Sequence, residues 1–250
     1  MHYAYKMALL IALSLRSAAH LMRCRIFLGE NKQRKTLMNY MTKSQKQSLV
    51  HSHTMTHLRG GFEVVPAIEG GEHSSHHITT DFGLDLGRGI IASVRAIPEM
   101  NEKDRLAVAN LLCAAPEMRD VILSYFGSFN NQNALMIKMA EILSKFNLRE
   151  GSKLDHLRMG FSLEATMSSD FKSIRYINTE FGEDGKFMAV ATVAYGVVTT
   201  QEADLATASL FGAAPDMRDA IMYRLSHSTG SVLSIEQVEN MMRSSVGLND

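Results

Sequence analysis

Cysteine is scarce in this chain, and charge of either sign is not in excess. Only Cys24 and Cys113 are present, far apart in the sequence, which is not the disulfide framework of a small secreted domain. The 26 basic and 26 acidic side chains balance, so bulk charge does not direct the chain to nucleic acid or to an anionic membrane. These absences favour a protein of the reducing cytoplasm that has a protein as its partner.

Catalytic motifs and long hydrophobic runs are also missing. No Gly-rich phosphate loop, nucleophile elbow, HExxH or CxxC pair occurs, so we expect a non-enzymatic protein without a cofactor. The apolar run at 7–15 is shorter than the roughly 20 residues that span a bilayer. It is compatible with a signal peptide, with a disordered or loosely helical extension, or with translation that starts at Met38, Met41 or Met55.

An internal repeat is the main feature that is present. HLRGGF begins at His57 and HLRMGF begins at His156, and an ungapped shift of 99 residues matches 24 of 66 positions between 57–122 and 156–221. Such self-similarity is the signature of a tandem duplication. We therefore predict three segments: an N-terminal extension (1–54), a first repeat unit (55–152) and a second repeat unit (153–250).

Each unit is predicted to contain three strands followed by three helices. Short segments rich in β-branched residues, separated by Gly, Ser, Asp and Glu, predict the strands. They are 62–69, 76–83 and 89–97 in the first unit, and 161–168, 174–182 and 187–195 in the second. The predicted fold class is α+β, with small antiparallel sheets, helices on one face, and the two units packed about a pseudo-twofold axis.

The helical part of each unit is interrupted by a proline at the same place. Pro116 and Pro215 predict one helix that ends before the proline and another that begins at it. A third helix is expected near 133–146 and near 234–246. The last of these has the spacing of a capping box, with Ser234 three residues before a glutamine.

The helical segments around the two prolines also carry a resemblance. LAVANLLCAAPEMRDVI at 106–122 and LATASLFGAAPDMRDAI at 205–221 resemble the motif NARLIAAAPELLEAL of small accessory proteins of tailed phages and prophages. The chain departs from that motif at 118–120 and 217–219, where Met-Arg-Asp replaces Leu-Leu-Glu. The resemblance implies a phage-type accessory protein that binds a host or phage macromolecule, and it carries over no catalytic residue.

Polar residues that occur in both copies are candidates for binding. Alternation along a strand would place His57 and Arg59 on one side, and likewise His156 and Arg158, where they could bind an anion or a carboxylate; a structural role is the alternative. The other polar residues shared by the copies fit turns or solvated helix faces. They are Asp85, Asp184, Arg119, Arg218, Asp120 and Asp219.

Differences between the copies indicate a second candidate surface. In the second unit, Arg175, Tyr176 and Phe187 bring aromatic and basic side chains close together in sequence, a composition typical of interface anchors. The neighbouring residues that contribute to this surface are Phe171, Lys172, Lys186 and Tyr195. We therefore predict that a partner binds unequally to the two copies, and a homo-oligomer is also compatible with the sequence.

Histidines provide the alternative function. Six of the ten lie between 51 and 77, and His73, His76 and His77 could bind zinc or another divalent metal in a metal-dependent enzyme. Against this, the corresponding residues of the second copy are Lys172, Arg175 and Tyr176, which is typical of a solvated loop. A third hypothesis, nucleic-acid binding, depends on four arginines: Arg59, Arg158, Arg119 and Arg218.

Overall fold

A computed structural model of the chain shows an α+β architecture, as the sequence predicts, with six α-helices and one six-stranded sheet among the described residues. It describes residues 42–59, 61–67, 74–82, 87–127, 131–148, 161–167, 173–181, 186–193, 200–226 and 234–248. These residues belong to one compact unit, Tyr40–Asp250. We call the described residues of 42–148 the first half and those of 161–248 the second half.

The elements follow one another in the same order in both halves after the first helix. The first half contains α1 (Lys43–His51), 3-10 turns (Ser52–Thr54 and Thr56–Leu58), β1 (Glu63–Pro66), β2 (Ser74–Asp81), β3 (Arg88–Arg95), α2 (Glu102–Gly127) and α3 (Gln132–Lys145). The second half contains β4 (Ser162–Met167), β5 (Ser173–Phe181), β6 (Lys186–Val193), α4 (Gln201–Gly212), α5 (Ala214–Ser226) and α6 (Ile235–Ser245). All six predicted strands are thus confirmed. No described helix is both long enough and apolar enough to cross a membrane.

Polar side chains define where the helices begin. The Asn101 side chain accepts a hydrogen bond from the backbone N–H three residues later, at the start of α2, and Thr200 does the same at the start of α4. These two caps are 99 positions apart. At α6 the predicted capping box of Ser234 and Gln237 is confirmed.

Proline interrupts the helical segment in only one half. The prediction of a break is wrong for Pro116, which lies inside the continuous helix α2. In the second half α4 ends at Gly212 and α5 begins at Ala214, one residue before Pro215. Gly212 stands where Cys113 stands 99 positions earlier, and glycine weakens a helix interior. The break therefore depends on glycine and proline together.

The six strands form one continuous antiparallel sheet instead of two separate sheets. Its order is β1-β2-β3-β6-β5-β4, so the two halves meet at β3 and β6. Ser93 pairs with Thr192, 99 positions later, and the flanking pairs are Ala92 with Val193 and Val94 with Ala191. Pairing these strands satisfies backbone groups that two separate sheets would each leave at an edge.

Strand alternation gives the sheet an inner and an outer face. The inner face is covered by α2 and α4, as shown by the contact of Gly212 in α4 with Leu163 of β4 and by the proximity of Phe62 and Phe211, whose ring centroids are 5.9 Å apart. On β3 the extra residue Ile91 forms a bulge opposite the step from Ile78 to Thr79 of β2. On β6, 99 positions later, Val190 forms a bulge opposite the step from Ile177 to Asn178 of β5. Both halves therefore share this irregularity.

The segment just before the repeat is part of the packed unit. Leu49 of α1 and the following Ser52 are buried, and α1 packs against α4 of the second half. At Gly247, after α6, an added Cβ would lie 3.2 Å from the Lys46 carbonyl oxygen of α1. Leu148, which is 99 positions after Leu49, is also buried. Residues 43–54 therefore contribute to the core, although the repeated phrase begins at His57.

Candidate functional site

The outer face of the sheet is the candidate site. A row of paired residues crosses all six strands on this face. In spatial order they are Val65, His77, Ser93, Thr192, Tyr176 and Glu164. None of these six side chains is fully buried, whereas their neighbours on the inner face, such as Ile78 and Ala92, are. This row and its flanking outer residues form a surface that spans both halves of the sheet.

Polar contacts order much of the outer face. His77 Nδ1 lies 2.9 Å from Ser93 Oγ on the adjacent strand. In the second half, Asn178 Nδ2 donates to Glu164 at 3.0 Å. Near the edge of the first half, Arg88 forms a salt bridge with Glu63. Cross-strand pairs of this kind hold side chains in fixed positions, so the face is pre-organised for contact.

Large apolar side chains are exposed beside these contacts. Val65 of β1 is 40% exposed and Ile90 of β3 is 48% exposed, and both point to the outer face. The half-buried ring of Tyr176 lies in the same row as Val65. The polar side chains of His77, Ser93 and Thr192 lie between Val65 and Tyr176 in this row. A surface that combines exposed apolar and aromatic side chains with polar ones is typical of a protein-binding surface. Sequence patterns did not single out Val65 or Ile90, because alternation shows which residues share a face but not which face the helices cover.

The two faces differ in how similar the halves are. Inner positions 99 residues apart are identical in four of eight pairs; the pairs are Val64/Leu163, His76/Arg175, Ile78/Ile177, Thr80/Thr179, Gly89/Met188, Ile91/Val190, Ala92/Ala191 and Val94/Val193. Outer positions are identical in none of six; the pairs are Glu63/Ser162, Val65/Glu164, His77/Tyr176, Thr79/Asn178, Ile90/Ala189 and Ser93/Thr192. Packing against α2 and α4 accounts for the similarity of the inner face.

The shared His-Leu-Arg phrase does not form the predicted strand. His57 lies in a 3-10 turn and Arg59 in the bend after it, so strand alternation does not apply to them. The His57 ring stacks on Phe82 with centroids 5.7 Å apart, and burial lowers the pKa of His57. Arg59 is exposed. His156 and Arg158 lie outside the described residues, so an anion site there stays a prediction.

The first of the two shared arginines is buried instead of solvated. Arg119 is 1% exposed; it donates to Ser52 Oγ at 2.9 Å and to the Leu58 carbonyl at 2.8 Å, and it pairs with Asp120 at 2.7 Å. Burial lowers its pKa, and Asp120 opposes that effect. This network fixes the segment before β1 onto α2. Arg119 is therefore a structural residue, which leaves it unavailable to a nucleic-acid phosphate.

The predicted surface of the second half is divided between the two faces. Arg175 pairs with Val193 and points inward, where its Nε is buried, whereas Tyr176 points outward. Phe187 lies on β6, paired with Glu180, and its side chain is not described. Of the residues predicted to bind, Tyr176 is thus the one that the structure assigns to the outer face. Phe171, Lys172 and Tyr195 lie outside the described residues, as do Asp85 and Asp184.

The histidines of the predicted metal site are also divided. His76 is buried on the inner face, 3.4 Å from Glu102 at the start of α2, and His77 is on the outer face. Burial lowers the pKa of His76, and Glu102 opposes this effect. His73 lies outside the described residues. Within the described part of the chain, no group of three His, Cys, Asp or Glu side chains is arranged to hold a metal ion.

Cys113 is a further candidate for chemical reactivity, because thiols can act as nucleophiles. Its Sγ donates to the Phe62 carbonyl oxygen at 3.0 Å, and burial raises the pKa of the thiol to about 12. A protonated buried thiol is a poor nucleophile. Cys113 therefore acts as a packing residue between α2 and the start of β1.

Comparison of the chain with known proteins finds no match. No protein-family model matches it, and neither the curated proteins nor the solved structures include a match.

Proposed function

We propose that this chain is a non-enzymatic protein that binds another protein through the outer face of its sheet. Val65 and Ile90 supply exposed apolar area, and Tyr176 supplies an aromatic anchor. The salt bridge to Glu63 already compensates the charge of Arg88 beside this patch. Exposed apolar and aromatic side chains are suited to a protein surface, whereas binding of nucleic acid depends on uncompensated cations.

The proposal includes a tandem duplication with a pseudo-twofold axis that passes between Ser93 and Thr192. In support, the strand order reads the same from either edge once the halves are exchanged, and the bulges and helix caps recur 99 positions apart. Pairing of a residue position with itself is the geometry of an isologous contact. The chain would thus be a fused dimer of the two predicted units.

The single observation that carries the binding proposal is the difference between the two faces. After duplication, both inner faces must still pack against helices, so their residues stay alike. The outer faces have no such packing requirement in common, and there the halves differ at every described pair. Such divergence supports a partner that contacts the two halves differently. The scarcity of cysteine favours the cytoplasm as the place of this activity, and the resemblance noted above implies a host or phage protein as the partner.

The test compares two exposed apolar residues on different surfaces. A photo-crosslinking amino acid is introduced at Ile90, on the outer face, or at Leu106, which is 42% exposed on α2. We expect a protein adduct from position 90 and none from position 106. With the partner purified, Ile90→Glu should weaken binding by about tenfold or more, as for an interface anchor, and Leu106→Glu should leave it unchanged. Equal affinities for the two variants would refute the proposed surface.

A further inference from the structure

The helical layer contains a contact between two residues that are 99 positions apart. Tyr125, near the end of α2, and Arg224, near the end of α5, are 2% and 8% exposed. Arg224 Nε donates to Tyr125 Oη at 2.9 Å, and its Cζ lies 5.3 Å from the centre of the tyrosine ring. If the chain is a duplication, this position meets itself across the axis, as Ser93 and Thr192 do in the sheet.

A contact on a twofold axis determines whether like or unlike units can pair. Two first halves from different chains would bring Tyr125 against Tyr125, and two second halves would bury one Arg224 against another. In the native pairing Tyr125 Oη also donates to Glu239 of α6 at 3.4 Å, so two second halves would bring this carboxylate near each Arg224. The two buried guanidinium groups would nevertheless face each other across the axis, where their like charges repel. Pairing of unlike halves instead gives the guanidinium an oxygen acceptor and an aromatic face.

We infer that the Tyr125–Arg224 contact is a specificity determinant of the interface between the halves. It favours pairing of a first half with a second half, and it disfavours the exchange in which two copies of this chain pair first half with first half and second half with second half. The inference rests on the duplication proposed above and is independent of binding at the outer face. A duplicated chain needs such a device because exchange between identical folds is otherwise inexpensive.

Pairing of like halves can be detected at the sheet axis. In such a dimer, position 93 of one chain lies opposite position 93 of the other, so Ser93→Cys would form a disulfide between chains; in the native pairing it faces Thr192. The full-length Ser93→Cys protein is refolded at high concentration, oxidised, and examined for covalent dimer on a non-reducing gel.

We expect several times more covalent dimer when Arg224→Tyr is added to Ser93→Cys, because every pairing then places tyrosine against tyrosine. Arg243→Tyr is the matched control, since Arg243 is an exposed arginine over the ring of Phe126, 4.2 Å from its centroid. It should leave the dimer fraction unchanged. Equal dimer fractions for the folded Arg224→Tyr protein and its Ser93→Cys parent would overturn the inference.

Exchange of the two residues separates failure of the inference from failure of the duplication. Tyr125→Arg alone places two arginines in contact and should lower the melting temperature by about 5–10 °C. The double variant Tyr125→Arg/Arg224→Tyr should recover most of that loss and should return the covalent dimer to the parent level. No recovery would contradict the duplication, whereas recovery without any effect of Arg224→Tyr on dimer formation would contradict the specificity alone. Binding at the outer face is tested separately through Ile90.

Discussion

The two halves of the molecule contain the same Met-Arg-Asp sequence at the same place in the helical layer, in different surroundings. Arg119 is 1% exposed and joins α2 to Ser52 and to the Leu58 carbonyl. Arg218 donates to Asp219 at 2.7 Å with 13% of its side chain exposed. Residues 52–58 cover Arg119, whereas the corresponding residues 151–157 lie outside the described part of the chain. The two arginines therefore differ in how much of the side chain is exposed.

The largest predicted effect comes from removing the buried arginine. Arg119→Met leaves Ser52, the Leu58 carbonyl and Asp120 without their partner, so we expect a loss of about 3–5 kcal/mol in the free energy of unfolding. Arg218→Met should cost less, because 13% of the Arg218 side chain is exposed, against 1% for Arg119. Urea denaturation of the two variants measures the difference, and equal losses would show that the two arginines are equivalent after all.

The inner face should respond alike in both halves. Ile78 and Ile177 are both fully buried, so changing either to alanine should cost about 2–5 kcal/mol. Outer-face Ile90→Ala should cost less than about 0.5 kcal/mol, as is usual for surface substitutions. Thermal unfolding of the three variants tests this ranking, and a large loss from Ile90→Ala would mean that the outer face is covered.

The segment before the repeat should stabilise the fold. Removing residues up to 54 deletes buried Leu49 and the Ser52 partner of Arg119, so protein 55–250 should be less stable than protein 42–250 by at least about 1–3 kcal/mol. The repeat boundary at His57 would by itself suggest that the whole N-terminal extension (1–54) is dispensable for folding. The burial of Leu49 and Ser52 indicates instead that residues 42–54 are needed for full stability. Equal melting temperatures for the two proteins would show that the whole extension is dispensable after all.

The smallest predicted effect is a loss of stability at acidic pH. Burial lowers the pKa of His57 and His76 below the ordinary value of 6.5, so the unfolded chain binds protons more readily than the folded chain. The free energy of unfolding should therefore be highest above pH 6.5 and should decrease as the pH falls below 6.5. His76→Gln should make this fall shallower, and His77→Gln on the outer face controls for the loss of a strand histidine. An unchanged slope in His76→Gln would exclude His76 as a source.

Local patterns in the sequence predicted the elements but not their assembly. All six strands and the α6 capping box follow from short-range signals, namely β-branched runs and an Ser-x-x-Gln spacing. No short-range sequence signal marks β3 and β6 as the strands that join the two predicted sheets into one. These strands pair through backbone groups that every sequence possesses. The burial of Arg119 could not be predicted either, since two of its three acceptors, Ser52 and the Leu58 carbonyl, lie more than 60 positions earlier.

The site was harder to predict than the fold. Tyr176 was identified from the aromatic and basic composition of its segment. Strand alternation, however, places Tyr176 and its neighbour Arg175 on opposite faces of β5. Val65 and Ile90 became candidates only once the helices were located on the other face. Period-2 patterns determine which residues lie together, whereas exposure depends on what covers each face.

The pairing of Ser93 with Thr192 also has a consequence for the order of folding. Every other strand pair joins segments that are neighbours in sequence, whereas this pair must close a loop of 99 residues at the centre of the sheet. Because loop closure is slow, we expect the two three-stranded meanders to form first and the central seam to close last. During synthesis on the ribosome, β3 of the first meander would therefore remain unpaired until the second meander has been made. We expect this open sheet edge to be most prone to aggregation during that interval.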